Sequence, residues 1–314
     1  MQRNISVTSA ARQRTGSSRA RRTRGDVIFD TMNFIFMVLM LILFAYPLYF
    51  VLIASVSDPM SVNAGKVIFL PKDFMWVGYQ RVFAHRLFLR SYLNTIEYTF
   101  VGTCLNVALT ISSGYVLSRR DLPFRVPITI LFMITMFFNG GMIPDFLLVK
   151  NLGMYNTFFA MVIPNALSVW NVMLAKSYFS SSLPGELLEA SEIDGCGNLR
   201  FFFSIAVPLA NALTAVMVLF YAVGHWNSYM NSLIYLQDAE KQNLQQILRQ
   251  ILIVEQGNNA EMAGGNMSDY AERMKASEQL KYALIVVSSL PMMVVYPFVQ
   301  KHFVKGVMVG SIKG

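Results

Sequence analysis

Apolar residues run through this chain in long, nearly unbroken stretches, and polar residues collect between them. Six stretches approach the ~20 mostly apolar helical residues that a hydrocarbon core of ~30 Å demands. They lie near 33–56, 92–117, 126–148, 156–178, 206–227 and 280–303. Within lipid a span of this length satisfies its backbone N–H and C=O groups as a helix, so the pattern predicts an all-α polytopic membrane protein with six transmembrane helices. The second stretch carries Asn94, Glu97 and Asn106, and the fourth carries Asn165, Trp170 and Asn171. Polar residues at membrane depth face a bundle interior. Pro47, Pro144, Pro164, Pro208 and Pro291 interrupt or border the spans and predict kinks. The run Asn139-Gly140-Gly141-Met142-Ile143-Pro144 fits either a break of the third span or a plain Gly-Pro turn.

Composition agrees with the pattern. Of 314 residues 54% are hydrophobic and 14% charged, and mean hydropathy is +0.45, too apolar for a soluble domain of this size. The 20 Met residues suit lipid-facing helices and soluble cores alike. Charge decides orientation. Arg3, Arg12, Arg14, Arg19, Arg21, Arg22 and Arg24 crowd the start, and Arg119, Arg120 and Arg125 sit in the short connection 118–125. Both belong in the cytoplasm by the positive-inside rule. Six spans then put the N- and C-termini in the cytoplasm, in a bacterial cytoplasmic membrane. The predicted organisation is a basic tail over 1–30 and a transmembrane domain over 31–314. A cytoplasmic segment at 183–209 and an external loop at 228–279 interrupt that domain. The basic tail and the long first apolar stretch do not read as a cleaved secretory signal. Within the external loop, Gln242–Val254 has helical amphipathic spacing, and the part after it reads as loop.

The segment Leu183–Leu209, LPGELLEASEIDGCGNLRFFFSIAVPL, has more structure than a connection requires. Pro184 and Glu186 favour a helix start, and Leu187, Leu188 and Ile193 supply apolar contacts. Gly195 and Gly197 allow a sharp turn, and Asn198 is placed to cap a second helix. Helix, glycine turn and helix make a compact knob. Glu186, Glu189, Glu192 and Asp194 make it acidic, which suits a partner with a basic cleft or simply a solvated loop.

Glu189-Ala190-Ser191, Asp194-Gly195, then Phe203, Ile205, Pro208 and Leu209 resemble the EAA motif of binding-protein-dependent ABC permeases. Ser191, Cys196, Val207 and Ala212 depart from the motif's usual residues. Asn94-Thr95, Gly114-Tyr115, Leu117-Ser118-Arg119, Trp226-Asn227 and the chain end from Tyr296 extend the likeness to carbohydrate importers. There they resemble the smaller permease of maltose-type systems and a subgroup handling complex oligosaccharides. The resemblance implies a type I ABC importer permease fold. It also implies an ATPase-coupling role for Glu189, Ala190, Ser191, Asp194, Gly195, Ile205 and Pro208. The implied partners are a second, non-identical permease, a cytoplasmic ABC ATPase dimer and an extracytoplasmic solute-binding protein, with a carbohydrate as substrate. No G-x-x-x-x-G-K-[ST] loop occurs, so ATP and Mg belong to the ATPase and this chain binds no cofactor itself. On that resemblance, Gln242–Val254 either meets a partner or lies on the membrane surface.

Sugar recognition needs aromatic faces and hydrogen-bonding groups. Asn165, Trp170 and Asn171 fit substrate lining or, more readily, helix packing with interhelical hydrogen bonds, and Glu97 fits substrate lining or a pairing with Arg90 near the outer surface. His85, His225 and His302 are scattered, and Cys104 and Cys196 form no metal or disulfide pattern, so neither metal binding nor catalysis is assigned. A peptide or amino-acid importer would carry the same docking motif. A membrane-embedded enzyme would need a cluster of acids, histidines or a nucleophile that the spans lack.

Overall fold

The computed structural model describes residues 23–261, 275 and 277–297, and among them every regular element is helical. The Arg-rich start up to residue 22, most of the loop at 255–274 and the chain end after 297 lie outside the described residues. The first helix, α1 (Arg24–Ala54), runs 31 residues. Its start is a capping box. Thr23 Oγ1 accepts the Asp26 N–H at 3.3 Å and Asp26 Oδ2 accepts the Thr23 N–H at 2.9 Å, which satisfies two otherwise orphaned donors. One unit of the structure ends at Phe50 and a second begins at Val51.

Within the second unit, α2 (Pro59–Asn63) and α3 (Val77–Ala84) lead into α4 (Phe88–Ser118), again 31 residues long. The chain continues through α5 (Arg125–Phe137), α6 (Met142–Asn151), α7 (Phe159–Val162) and α8 (Val169–Ser182). Then come α9 (Gly185–Ile193), α10 (Asn198–Leu209), α11 (Asn211–Trp226), α12 (Tyr229–Tyr235), α13 (Leu244–Glu261) and α14 (Ser277–Pro297). Helix α4 is the axis of this unit and packs chiefly on α11 and α8. Two glycines permit the close approach. A Cβ on Gly114 would overlap the methyl of Ala175 on α8, and one on Gly102 would overlap the imidazole of His225 on α11.

Separate cores form at the two ends of α4. Around Phe88 they include Tyr79, Val82, Trp226, Leu244, Ile247, Leu280 and Leu284. Around Tyr115 they include Ile111, Phe179, Phe201, Leu213 and Met217. The expected amphipathic helix at 242–254 exists as the first part of α13. Its apolar face, Leu244, Ile247, Leu248 and Ile251, is buried against the protein itself, which neither sequence alternative anticipated. Polar side chains of α4 tie down its start. Asn94 Nδ2 donates to the Glu240 and Gln242 carbonyls at 2.7 and 3.2 Å, and Thr95 Oγ1 accepts the Leu244 N–H at 2.7 Å.

The helices depart from six simple spans. Three described helices, α1, α4 and α14, are each long and apolar enough to cross a membrane, and up to five spans result if each bent pair counts as one. The predicted third span is α5 and α6, bent by 112°. Gly141 sits there at φ +91°, and Asn139 Oδ1 accepts its N–H at 2.7 Å, so the break is an Asx-type turn. The predicted fourth span is split at 163–168, where Pro164 has no N–H to give the ladder. The fifth bends by 79° between α10 and α11. A π-helical turn at Phe202–Ala206 precedes that bend. Pro208, two residues beyond that turn and just before the bend, bars the regular i−4 bond, so the widened turn and the bend share one cause.

Candidate functional site

Two places in this framework carry side chains that the core does not absorb. The first is the knob from α9 to α10. The reverse turn after α9 has Asp194 at the C-cap and Gly195 at φ +73°. Gly195 N–H donates to the Glu192 carbonyl at 3.0 Å and Cys196 N–H to the Ser191 carbonyl at 2.9 Å. This bonding is the Schellman arrangement, which a residue without a Cβ closes at least cost. Gly197 does not take a positive φ. It stands at φ −69° as the N-cap of α10, and Asn198 is the first helical residue instead of the cap.

The knob faces outward with apolar groups. Ile193 is 87% exposed, Leu199 76% and Phe203 67%, and a Cβ on Gly185, Gly195 or Gly197 would meet no atom within 4 Å. Of the seven residues predicted to couple, Glu189, Ala190, Asp194, Gly195 and Pro208 are exposed, Ile205 is half-buried and Ser191 is buried. Ser191 Oγ donates to the Leu188 carbonyl at 2.7 Å. Its hydroxyl is thus spent within α9 and not offered to a partner.

Beside the knob lies a cleft of about 870 Å³ with Glu186, Glu189 and Glu192 on one wall and Arg119, Arg120 and Arg125 on the other. Arg119 is locked in place. Its Nε and Nη2 donate to Asp121 at 2.7 and 2.8 Å, and its Nη1 donates to the Tyr115 hydroxyl at 3.1 Å. Those hydrogen bonds hold the Asp121 carboxyl below its usual range and the guanidinium above its own. Arg125 Nε donates to the Leu117 carbonyl at 3.0 Å. The 118–125 connection is thus a fixed strap across the end of α4.

The second place is a polar cleft of about 300 Å³ between α4, the split before α8, and α11. The split frees backbone groups, and neighbouring side chains capture them. Asn106 Nδ2 donates to the Asn165 carbonyl at 3.0 Å, and the Tyr221 hydroxyl accepts the Ser168 N–H at 3.3 Å while bonding Thr110 Oγ1 at 2.6 Å. This is how a broken helix is tolerated at membrane depth. Asn106 Nδ2 also faces His225 Nε2 at 3.2 Å. The carbonyl of Asn165 identifies that atom as the NH₂ end of the amide, so the imidazole nitrogen opposite is the acceptor and the ring is neutral. Asn165 and Asn171 line this cleft, whereas Trp170 and Glu97 are exposed and lie outside it. Tyr221 and His225 were not among the sequence candidates.

Among the described residues no group of three or more His, Cys, Asp or Glu side chains is placed to hold a metal ion.

Comparison with known proteins bears on the chain as a whole. No protein-family profile matches the chain. The polygalacturonan/rhamnogalacturonan transport system permease protein YtcP of Bacillus subtilis is 38% identical over 288 residues, 91% of this chain and 99% of that protein. Protein LplC of the same species is 35% identical over 292 residues, 93% and 97% of the two chains. The melibiose/raffinose/stachyose import permease protein MelC, also of B. subtilis, is 26% identical over 272 residues, covering 85% and 91%. A chain from the crystal structure of a bacterial ABC transporter involved in import of the acidic polysaccharide alginate superposes with a TM-score of 0.76. It is 31% identical and covers 90% of this chain and 99% of that one.

Proposed function

Because this chain belongs to the permease subunits of carbohydrate ABC transporters, a membrane transport component and not an enzyme, we propose that it carries an oligosaccharide inward through a six-crossing bundle driven by an ATPase that docks on 183–209. Both termini lie in the cytoplasm, and the split stretch through α7 and α8 counts as one crossing of a bacterial cytoplasmic membrane. The observation that carries this reading is the exposed apolar knob around the Gly195 turn. Ile193 and Leu199 at a tight, sterically open turn make an anchor for a groove on another protein, of the kind that dominates interface energy.

Coupling follows from how the knob is attached. Phe201 is 2% exposed and packs with Tyr115 of α4 and Phe179 of α8. A push on the α9–α10 turn therefore reaches α4 and α8 as a rigid displacement, because a close-packed core transmits strain. The bend at Ala210 separates the knob from α11, so the knob tilts without unwinding α11. ATP and Mg act in the partner ATPase dimer, a second, non-identical permease completes the pathway, and an extracytoplasmic solute-binding protein delivers the sugar. Glu189, Asp194 and Gly195 meet the ATPase, with Ser191, Ile205 and Pro208 shaping the knob behind them.

The test is uptake by proteoliposomes holding the chain with its second permease, ATPase and binding protein. ATP-dependent accumulation of labelled oligosaccharide and not of labelled peptide is expected. Uptake of peptides alone would overturn the carbohydrate reading.

A further inference from the structure

The polar cleft beside Asn106 holds a chemistry that packing leaves unused. Asn106 is 1% exposed, and its Oδ1 has no hydrogen-bond partner. That oxygen is sealed from solvent as well, so what the cleft offers a ligand is carried by its other side chains. At about 300 Å³ it sits at the small end of ligand pockets and accommodates one ring. Asn171, Ser228 and Asn231 add donors and acceptors, while the Phe220 ring, 45% exposed, offers an apolar face. Nothing lining the cleft is charged, and its histidine is neutral by the hydrogen-bond argument above. Gly224 keeps the space open, since a Cβ there would meet nothing within 4 Å.

We propose that this cleft is a subsite for one uncharged sugar residue of the transported chain, and that it discriminates against uronate. The proposal rests on the carbohydrate reading and narrows it. Ring hydroxyls bond the Asn171 and Asn231 amides and the Ser228 hydroxyl, and the ring's C–H face lies on Phe220. A carboxylate entering the same space loses its water and meets no cation, a cost that neutral hydroxyls do not incur. The names of two similar proteins concern polygalacturonan/rhamnogalacturonan and the acidic polysaccharide alginate, and the cleft's demand differs from the uronate residues of such cargo.

The experiment uses the assembled complex of both permeases and the ATPase in nanodiscs, titrated calorimetrically with galactotriose and with trigalacturonate. These share their ring stereochemistry and differ at C6. Galactotriose is expected to bind at least about 10-fold more tightly. Gly224→Leu, whose Cβ meets no neighbour and whose side chain occupies the open space, abolishes that binding while the complex still assembles. Asn231→Lys, which places an ammonium at the half-buried rim, inverts the preference, and Asn231→Gln leaves it in place. Tighter binding of trigalacturonate to wild type, or unchanged galactotriose binding by Gly224→Leu, overturns the subsite and leaves the carbohydrate reading standing. Binding of neither trisaccharide also overturns the subsite, and uptake of peptide alone by the proteoliposomes described above then overturns the carbohydrate reading as well.

Discussion

The knob at 183–209 and the cleft beside Asn106 hang on the same three helices, yet they reverse the usual placement of side chains. The knob turns Ile193, Leu199 and Phe203 outward, while the cleft turns Asn106, Asn171 and His225 inward. An exposed apolar turn marks a surface that gains by being covered, and side-chain amides around an unfilled polar cleft gain by bonding what fills it. Each place therefore points to a ligand of the opposite kind: a protein groove for the first, a hydroxylated small molecule for the second. What joins them is α4, whose glycines let α8 and α11 lie against it.

The comparison breaks first if that shared framework is loosened. Gly114→Leu should cost the most, about 2–4 kcal/mol, because its side chain must displace Ala175 and the backbone of α8. Knob and cleft should then fail together, read as a lowered thermal midpoint and loss of the monodisperse peak in detergent. Survival of that peak with an unchanged midpoint would contradict the packing described for α4 and α8.

Substitution on the knob alone should separate the two places. Ile193→Asp with Leu199→Asp leaves the core untouched and is expected to weaken ATPase capture by about 100-fold, as loss of an interface anchor does. Biolayer interferometry with immobilised ATPase measures it, and saccharide binding should be unaltered. Cys196→Ala is a smaller perturbation. The side chain is half-buried at the end of the Schellman turn, its contribution is packing, and the midpoint should move by no more than about 0.5–1 kcal/mol equivalent.

The smallest effect is that of pH on the strap. Asp121 has a folded pKa depressed by its hydrogen bonds to Arg119. Its contribution is present above the ordinary aspartate range and is lost as pH falls through the depressed value. Because Asp121 is largely exposed, solvent screens the pair. Thermal midpoints of wild type and Asp121→Asn should converge slightly as pH falls below 4, a shift of a few tenths of a kcal/mol at most.

These residues also mark how far the sequence could be read. The Gly195 turn was legible because Asp-Gly followed by Cys and Gly after an amphipathic run is a local signal, and the Schellman bonds close within six residues. The outward pose of Ile193 was not, since it was counted among the apolar contacts of α9. Asn165 and Asn171 were legible as polar intrusions in an apolar stretch, but their partners were not. Asn106 meets His225 across 119 positions and Ser168 meets Tyr221 across 53, and neither pairing leaves a periodic trace. Likewise the six apolar stretches were visible, but hydropathy carries no angle. The bends of 112° and 79° come from Gly141 and Pro208 acting on backbone torsion and hydrogen bonding.

The most direct measurement is co-purification from detergent of the tagged chain with the second permease and the ATPase, comparing wild type with Gly195→Asp. Gly195 holds a positive φ at an open, exposed turn, so the variant adds strain, bulk and charge where the partner must approach. The ATPase should follow the wild type and be lost from Gly195→Asp, while the second permease follows both. Equal recovery of the ATPase with the variant, or none with the wild type, would contradict docking through 183–209.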